Sequence, residues 1–463
     1  LSNNTVEALR ARYGDGWRWL AVTTVMLGTM ATVLSATVIN VALPDIMAEF
    51  DIRQGTAHWL ATGYIAAMTT TMLASTWLLE HFGVRMALGC AMLLFSGVSV
   101  LGGFSPSTEA LITARVAQGA LAGLMQPMAM YLIFRIFPRD RRGQAMGIYG
   151  MGVILAPALG PVLGGFLVDH FDWRYVMFAP APVTLLGVFM AWKFLPVPVQ
   201  RPAPYPFDLP GLLYLGGALL LGLDALNRLQ AADGQWLTIV VESLGAALMV
   251  TLFGRRQRRA RHPLLRVQLM RRSSFLYANL GALALGLALY GSTYLIPLFV
   301  QTALQFSASD AGLLMLPAGI ALGITFPIAG RLADRFSARS LTLYGIVAFG
   351  LSAVLFAVSD LSLGFVWLAI WAVIGRIGLG FMLPALSTAA LNPLEVEELG
   401  AGSSIINFSR QLGGAFGINL VALTLEYGDH VGPVPALSAF HTAWWLVAGL
   451  VLIALVPVLR MPR

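Results

Sequence analysis

The sequence predicts an all-α integral membrane protein of fourteen spanning helices: two six-helix bundles with two further helices inserted between them. Three observations carry that expectation. Apolar stretches of about 20 residues, each long enough as a helix to cross a hydrocarbon layer roughly 30 Å thick, recur fourteen times along the 463-residue chain. The composition is 58% hydrophobic and only 11% charged, and in lipid only helices or closed barrels satisfy their own backbone groups. Basic residues crowd into every second gap between the stretches.

In order, the spans are expected as follows. The first, 17–42, is too long for the apolar core of a cleavable leader and reads as a true span. Spans 57–79 and 84–104 are separated only by a short loop. Span 110–134 holds Arg115, Gln118 and Gln126, span 145–168 is rich in glycine, and span 174–195 closes the first bundle, residues 1–195. A proline-rich stretch over 196–210 (Pro196, Pro198, Pro202, Pro204, Pro206, Pro210) reads as a stiff, extended linker. It leads into spans 210–228 and 236–254 and a basic loop, Arg255 to Arg272, so the insertion covers 196–272. Spans 275–300, 309–332, 340–358, 363–391, 401–425 and 439–459 form the second bundle, 273–463.

With the N-terminus placed inside, the inside segments hold 23 of the 29 Lys and Arg residues. The outside gaps hold only Arg53, Arg174 and Arg228, and three more, Arg115, Arg376 and Arg410, fall within spans. This bias places both termini in the cytoplasm. The net charge of +7 follows from it and favours anionic lipid headgroups; nucleic acid is not expected as a partner, because the Arg255–Arg272 cluster lies between two spans. The single Cys90 excludes an internal disulfide. The six histidines (His58, His81, His170, His262, His430, His441) are scattered, so neither a catalytic nor a metal site is expected. No nucleotide-binding loop occurs, which argues against ATP as the energy source.

The two halves are alike. Thr76–Arg85 follows span 2 and Gly330–Arg339 follows span 10, with Leu78, Glu80, Phe82 and Arg85 matching Leu332, Asp334, Phe336 and Arg339 at the same spacing. Two spans later Gly119–Pro127 stands against Arg376–Pro384. Spans 1–6 and 9–14 therefore read as a parallel six-helix repeat, a layout found among transporters.

Local chemistry supplies the candidate residues. Gly152, Ala156, Gly160 and Gly164 recur at i+4 on span 5, with Gly165 alongside, leaving a bare face for a close neighbour; Pro157 and Pro161 let the helix bend. On its own this is either a static packing groove or a flexible seam between the halves. Arg115 is a guanidinium inside the bilayer, costly unless functional. With Gln118 and Gln126 it either lines a central cavity or locks spans 1, 2 and 4 together. Asn407, Arg410 and Gln411 on span 13 raise the same alternative. Asn40, Tyr64, Tyr290 and Tyr294 are further lining candidates, and Trp59, Phe299, Met125 and Met128 would suit an adaptable apolar pocket. The loops with Glu80, Gly83 and Arg85, and with Asp334, Arg335 and Arg339, put acids where they can meet an opposing Arg or a helix N-terminus, worth up to about 1–2 kcal/mol. Such contacts form either a gate latch or plain topogenic charge.

On these residues the chain resembles the major facilitator superfamily, specifically its 14-helix drug:proton antiporter branch of EmrB/QacA-type multidrug exporters, nearest the EmrB-like ones. The likeness spans nearly the whole chain. It rests on Thr37–Pro44, on Leu78-x-Glu80-x-Phe82-Gly83-x-Arg85, on Arg115-x-x-Gln118-Gly119 and on Gly160-Pro161-x-x-Gly164-Gly165. Asn227-Arg228-x-Gln230 before Trp236 is also similar, with Asn where Asp is usual. The resemblance implies a major facilitator fold in the bacterial inner membrane, with the proton as coupling ion and no cofactor. It also implies proton-linked coupling at Arg115 and, from the span 5 motif, an antiporter hinge in an exporter. Implied partners are a small lipophilic substrate such as a drug, membrane lipids, and a periplasmic adaptor with an outer-membrane channel. Ser35 stands near the place of the usual span 1 Asp, which leaves Glu242 and Asp224 as alternative proton carriers. Glu80 departs from the usual Asp, and Val84 and Met86 replace bases, so the first latch is expected to be the weaker.

The expected function is thus proton-driven export of hydrophobic or amphipathic small molecules by alternating access. The alternatives are a dedicated exporter of lipid or a siderophore-like metabolite, a uniporter, or, from another class, a polytopic sensor or enzyme.

Overall fold

The computed structural model describes residues 5–197, 205–231, 235–360, 364–431 and 434–461. Most of the linker expected over 196–210, including Pro198, Pro202 and Pro204, lies outside the described residues.

A short amphipathic helix α1 (Val6–Tyr13) precedes α2 (Trp17–Phe50), the one-turn α3 (Gln54–Ala57) and α4 (Trp59–Thr71). They are followed by α5 (Ser75–Gly103), α6 (Thr108–Ile136), α7 (Arg142–His170), α8 (Trp173–Phe178) and α9 (Pro180–Phe194). The two inserted helices are α10 (Leu209–Ala231) and α11 (Trp236–Arg259). The second half holds α12 (Ser273–Leu298), α13 (Ala308–Ala333), α14 (Ala338–Ala357), α15 (Phe365–Leu391) and α16 (Leu399–Glu426). A two-residue hairpin, β1 (His430–Val431) with β2 (Val434–Pro435), leads to α17 (Leu437–Ile453) and α18 (Leu455–Leu459).

Among the described residues, twelve stretches are long and apolar enough to span a bilayer. One of them, Trp59–Gly103, runs for 45 residues, too long for a single crossing. It is two spans folded at Gly83, whose φ of 75° and ψ of 161° break the helix. The remaining span is α16, whose Asn407, Arg410 and Gln411 lower its average apolarity but which is 28 residues long and packs among the other spans. The helices expected from the sequence are thereby accounted for, with α8–α9 and α17–α18 each forming one slightly broken crossing.

Packing repeats between the halves. In the first, α2 lies on α7, α4 on α6, and α5 on both α6 and α9. In the second, α12 lies on α16, α13 on α15, and α14 on both α15 and α17. The halves meet chiefly where α7 runs along α13 and where α16 crosses α6 and the start of α5. The inserted α10 seats on α4 and α16, and α11 packs on α10 with its outer face wholly exposed, as a lipid-facing helix should be.

The turn at Gly83 joins two spans without a spacer, in a backbone region essentially reserved for glycine, where another residue costs about 1–3 kcal/mol. Gly83→Ala is therefore expected to lower the melting temperature in detergent by several degrees. Gly97→Ala, where a methyl meets open space, should leave it unchanged.

Candidate functional site

The chain concentrates polar side chains at the place where the halves cross. On α16, Gly413 and Gly417 sit so close to α12 that a methyl on either would collide with the carbonyls of Leu283 and Leu287. This brings the polar turn Asn407–Gln411 against α6 and α12. Arg410 Nη2 donates to Gln126 Oε1 of α6 at 2.8 Å, across the two halves, and to Asn407 Oδ1 at 2.9 Å. Asn407 in turn donates to the Ser403 carbonyl at 2.9 Å and approaches the Met130 sulfur at 3.5 Å. Tyr290 hydroxyl donates to Gln411 Oε1 at 3.2 Å. Arg410 lies about three turns inside α16, or ~16 Å from its end, near the bilayer midplane. Met130, Ala282, Leu285, Leu383 and Ile406 surround it with apolar surface.

Arg115 has a different setting. It is only 1% exposed and stacks on the Tyr64 ring at 4.3 Å. Its Nε donates to the Leu60 carbonyl at 3.0 Å, and its Nη1 to Ser35 Oγ at 2.9 Å and Gln118 Oε1 at 3.0 Å. Gln118 donates onward to Ser99 at 2.7 Å, and Tyr64 to the Thr32 carbonyl at 2.7 Å. Of the two readings of this stripe, the hydrogen-bond cluster joining α2, α4, α5 and α6 is the one present. Arg115, Gln118 and Tyr64 are sealed within one bundle rather than exposed to a cavity, and only Gln126, further along α6, reaches the other half. Asn40 and Tyr294, on α2 and α12, are exposed near the side opposite the basic loops.

The arginine-rich side is closed by five contacts between the halves. Asp334, just past α13, accepts from the backbone amides of Gly143 at 2.6 Å and Gln144 at 2.8 Å, the free N–H groups of the first turn of α7. Burial pushes its carboxyl above the usual range, opposed by those two bonds. Gly143 and Gly330 touch backbone to backbone, as do Gly147 and Phe326, with no room for a Cβ. Ser404 of α16 bonds Ser75 at 2.7 Å and Thr76 at 2.9 Å. Arg142 donates to Asn392 at 3.1 Å.

One expectation is corrected here. The small face expected as a seam between the halves packs inside one of them: methyls on Gly152, Gly160 and Gly164 would meet Met26, Thr37 and Val41 of α2. Pro157 and Pro161 lie within an unbroken α7, and Gly165 faces open space. The seam itself uses Gly143 and Gly147, a second i+4 pair nearer the arginine-rich end. Glu80 meets an opposing arginine, Arg266, at 2.6 Å and accepts from the Tyr205 hydroxyl, so it ties span 2 to the basic loop and the linker. Burial and Glu80 together hold that hydroxyl protonated above its ordinary range. Arg85 lies over the Trp192 ring at 5.2 Å, Arg335 is exposed and Arg339 half-buried. Asp224 and Glu242 both pair with Arg228, at 3.0 and 3.1 Å, between α10 and α11 and away from the crossing of the halves.

Sequence reasoning left Tyr149, Ser75, Ser404 and Arg376 out of the site. Tyr149 bonds Thr29 at 3.1 Å beside Arg410. Arg376, 4% exposed, donates to Thr293 at 3.0 Å. The signal for Gly143 and Gly147 was present in their spacing; the serines carry none.

If Asp334 holds the arginine-rich side shut, Ser75→Cys with Ser404→Cys in a Cys90→Ser background should cross-link efficiently under mild oxidation. Adding Asp334→Ala, which strips two amides of their acceptor, should cut the yield several-fold, whereas Asp334→Asn, which keeps an acceptor, should not.

A profile of the Major Facilitator Superfamily matches residues 25–418. The multidrug resistance protein B homolog of Mycobacterium tuberculosis is 30% identical over 87% of this chain and 75% of its own length. The multidrug export protein EmrB of Haemophilus influenzae is 30% identical over 89% of this chain and 83% of its own. The solved proton:xylose symporter XylE shares the fold at a TM-score of 0.68, with 13% identity over 97% of both chains. The chain belongs to the Major Facilitator Superfamily.

Proposed function

We propose that the protein is a proton-driven exporter of hydrophobic or amphipathic small molecules from the bacterial cytoplasm across the inner membrane, with both termini cytoplasmic. The observation that carries this is the Arg410–Gln126 bond: a polar contact between the two halves at the midplane, ringed by apolar side chains. Contacts that can part lie on the arginine-rich side of it. On the positive-inside assignment that side is the cytoplasm, so breaking the Asp334, Ser404 and Gly143–Gly330 contacts would open Arg410 to cytoplasmic substrate. Reforming them would return it toward the other face. The relatives named for multidrug resistance and export support the direction and the breadth of substrate. A dedicated lipid exporter would call for a lateral opening beside the inserted helices; α10 instead sits directly on α4 and α16, tied by Gln230 to Asn419 at 2.6 Å.

Reconstituted vesicles with an acidic lumen test the reading. Wild-type protein oriented with its cytoplasmic side outward should concentrate a lipophilic dye inside while releasing luminal protons, with no adaptor or outer-membrane channel present. Arg115→Ala, which opens the cluster at α2, α4 and α6, should slow both fluxes about tenfold or more, the effect of ~1.4 kcal/mol. Glu242→Gln should abolish proton release only if the α10–α11 pair carries the proton. Dye flux that persists unchanged after an ionophore collapses the gradient removes antiport.

A further inference from the structure

The core helices place three arginines within the membrane and no acid to match them. Arg376 and Arg410 lie about three turns inside α15 and α16, while each Asp and Glu of the core helices falls within about two turns of a helix end. Among the described residues none of Arg115, Arg376 or Arg410 forms an ion pair. Their bonds go to neutral oxygens: the Leu60 carbonyl, Ser35 and Gln118 for Arg115, Thr293 for Arg376, Gln126 and Asn407 for Arg410. Nη2 of Arg115 has no acceptor at all. Five peripheral arginines differ: Arg174, Arg228, Arg256, Arg266 and Arg272 each hold a carboxylate. The acids of this protein lie at its rim and on its inserted hairpin, and leave the three deep arginines of the core without a counter-charge.

An uncompensated guanidinium in a low-dielectric interior is unfavourable by itself and gains most from a negative partner. Of the three, only Arg410 stands at the junction of the two halves. Arg115 is enclosed by one bundle, and Arg376 by the second. Around Arg410 the lining is aliphatic and thioether, with Tyr149, Tyr290 and Gln411 as hydrogen-bonding groups nearby. In this conformation the space beside it is about 10 Å³, too little for a substrate, so loading requires the halves to part.

We infer that the substrate is an amphipathic organic anion, a lipophilic body bearing one carboxylate or a similarly delocalised negative charge, held by Arg410 with Arg115 and Arg376 supplying background positive potential. This rests on the exporter reading for its direction but not for its charge. A cationic amphipath would meet three like charges and no carboxylate to offset its lost hydration.

The test is equilibrium binding in nanodiscs, without any gradient. It uses dansyl-undecanoate, its methyl ester and the matching dansyl-alkylammonium as probes. The carboxylate is expected to bind about tenfold or more tightly than either analogue. That preference should vanish in Arg410→Gln, and in Gln126→Glu, which sets a carboxylate of nearly the same shape against Arg410, while Arg410→Lys keeps part of it. Retained ester binding and a monodisperse elution profile show that each variant is folded. Ammonium binding equal to or tighter than carboxylate binding in wild type overturns the inference, and that arm needs no variant. So does a carboxylate preference that survives both Arg410→Gln and Gln126→Glu. Binding of the anion without proton-driven flux would count against the exporter reading and leave the charge assignment standing.

Discussion

The arrangement depends on how closely α7 and α13 approach at the arginine-rich end. Gly143 and Gly330 meet carbonyl against Cα with no room for a methyl. In lipid such contacts matter more than apolar burial, because hydrocarbon tails compete for any greasy surface and helices associate through close van der Waals contact and polar bonds. The seam therefore rests on a few directional interactions. The first turn of α7 presents amides with no intrahelical partner, and Asp334 accepts two of them. The inner packing of each half, such as α2 on α7 or α12 on α16, likewise runs along whole helices. The α7–α13 seam is as extensive as the packing within each half, and what sets it apart is that its closest points are glycine backbones and polar bonds.

Much of this was legible in the sequence because the bilayer imposes simple rules. Length and apolarity located the spans, charge located the loops, and the repeat of Thr76–Arg85 in Gly330–Arg339 related the halves. The two places where simple counting departs from the structure have physical causes. At Gly83 the turn is so tight that two spans run together, and in α16 the polar residues of the site depress the apolar average of the helix that carries them.

What the sequence withheld was partnership. The row Gly152, Ala156, Gly160, Gly164 does mark a close approach, but spacing along one helix cannot say which neighbour fills it, and α2 does so from within the same bundle. Gly143 and Gly147 sit on the adjoining face and meet the other half. Glu80 likewise reads as a latch from its repeat position. The basic loop supplies Arg266, 186 residues further along the chain, and takes it for a different purpose. Its counterpart Asp334 is held by the Gly143 and Gln144 amides and keeps the contact between halves.

Ser35 joins these threads. Its hydroxyl occupies the position from which a carboxylate would answer Arg115, at 2.9 Å from the guanidinium. A hydroxyl satisfies one N–H but cancels no charge, so the cluster is held together geometrically and left positive electrostatically. The missing acid on α2, the unmet Nη2 of Arg115 and the neutral partners of Arg410 are therefore one property of the core rather than three. In this chain two carboxylates about two turns from a helix end stand on the inserted hairpin, where Asp224 and Glu242 share Arg228. The hairpin touches both halves through α10, so any proton held there would bear on the same crossing of helices from outside the core. Separating the acids from Arg410 in this way is the arrangement that the inferred anionic substrate calls for.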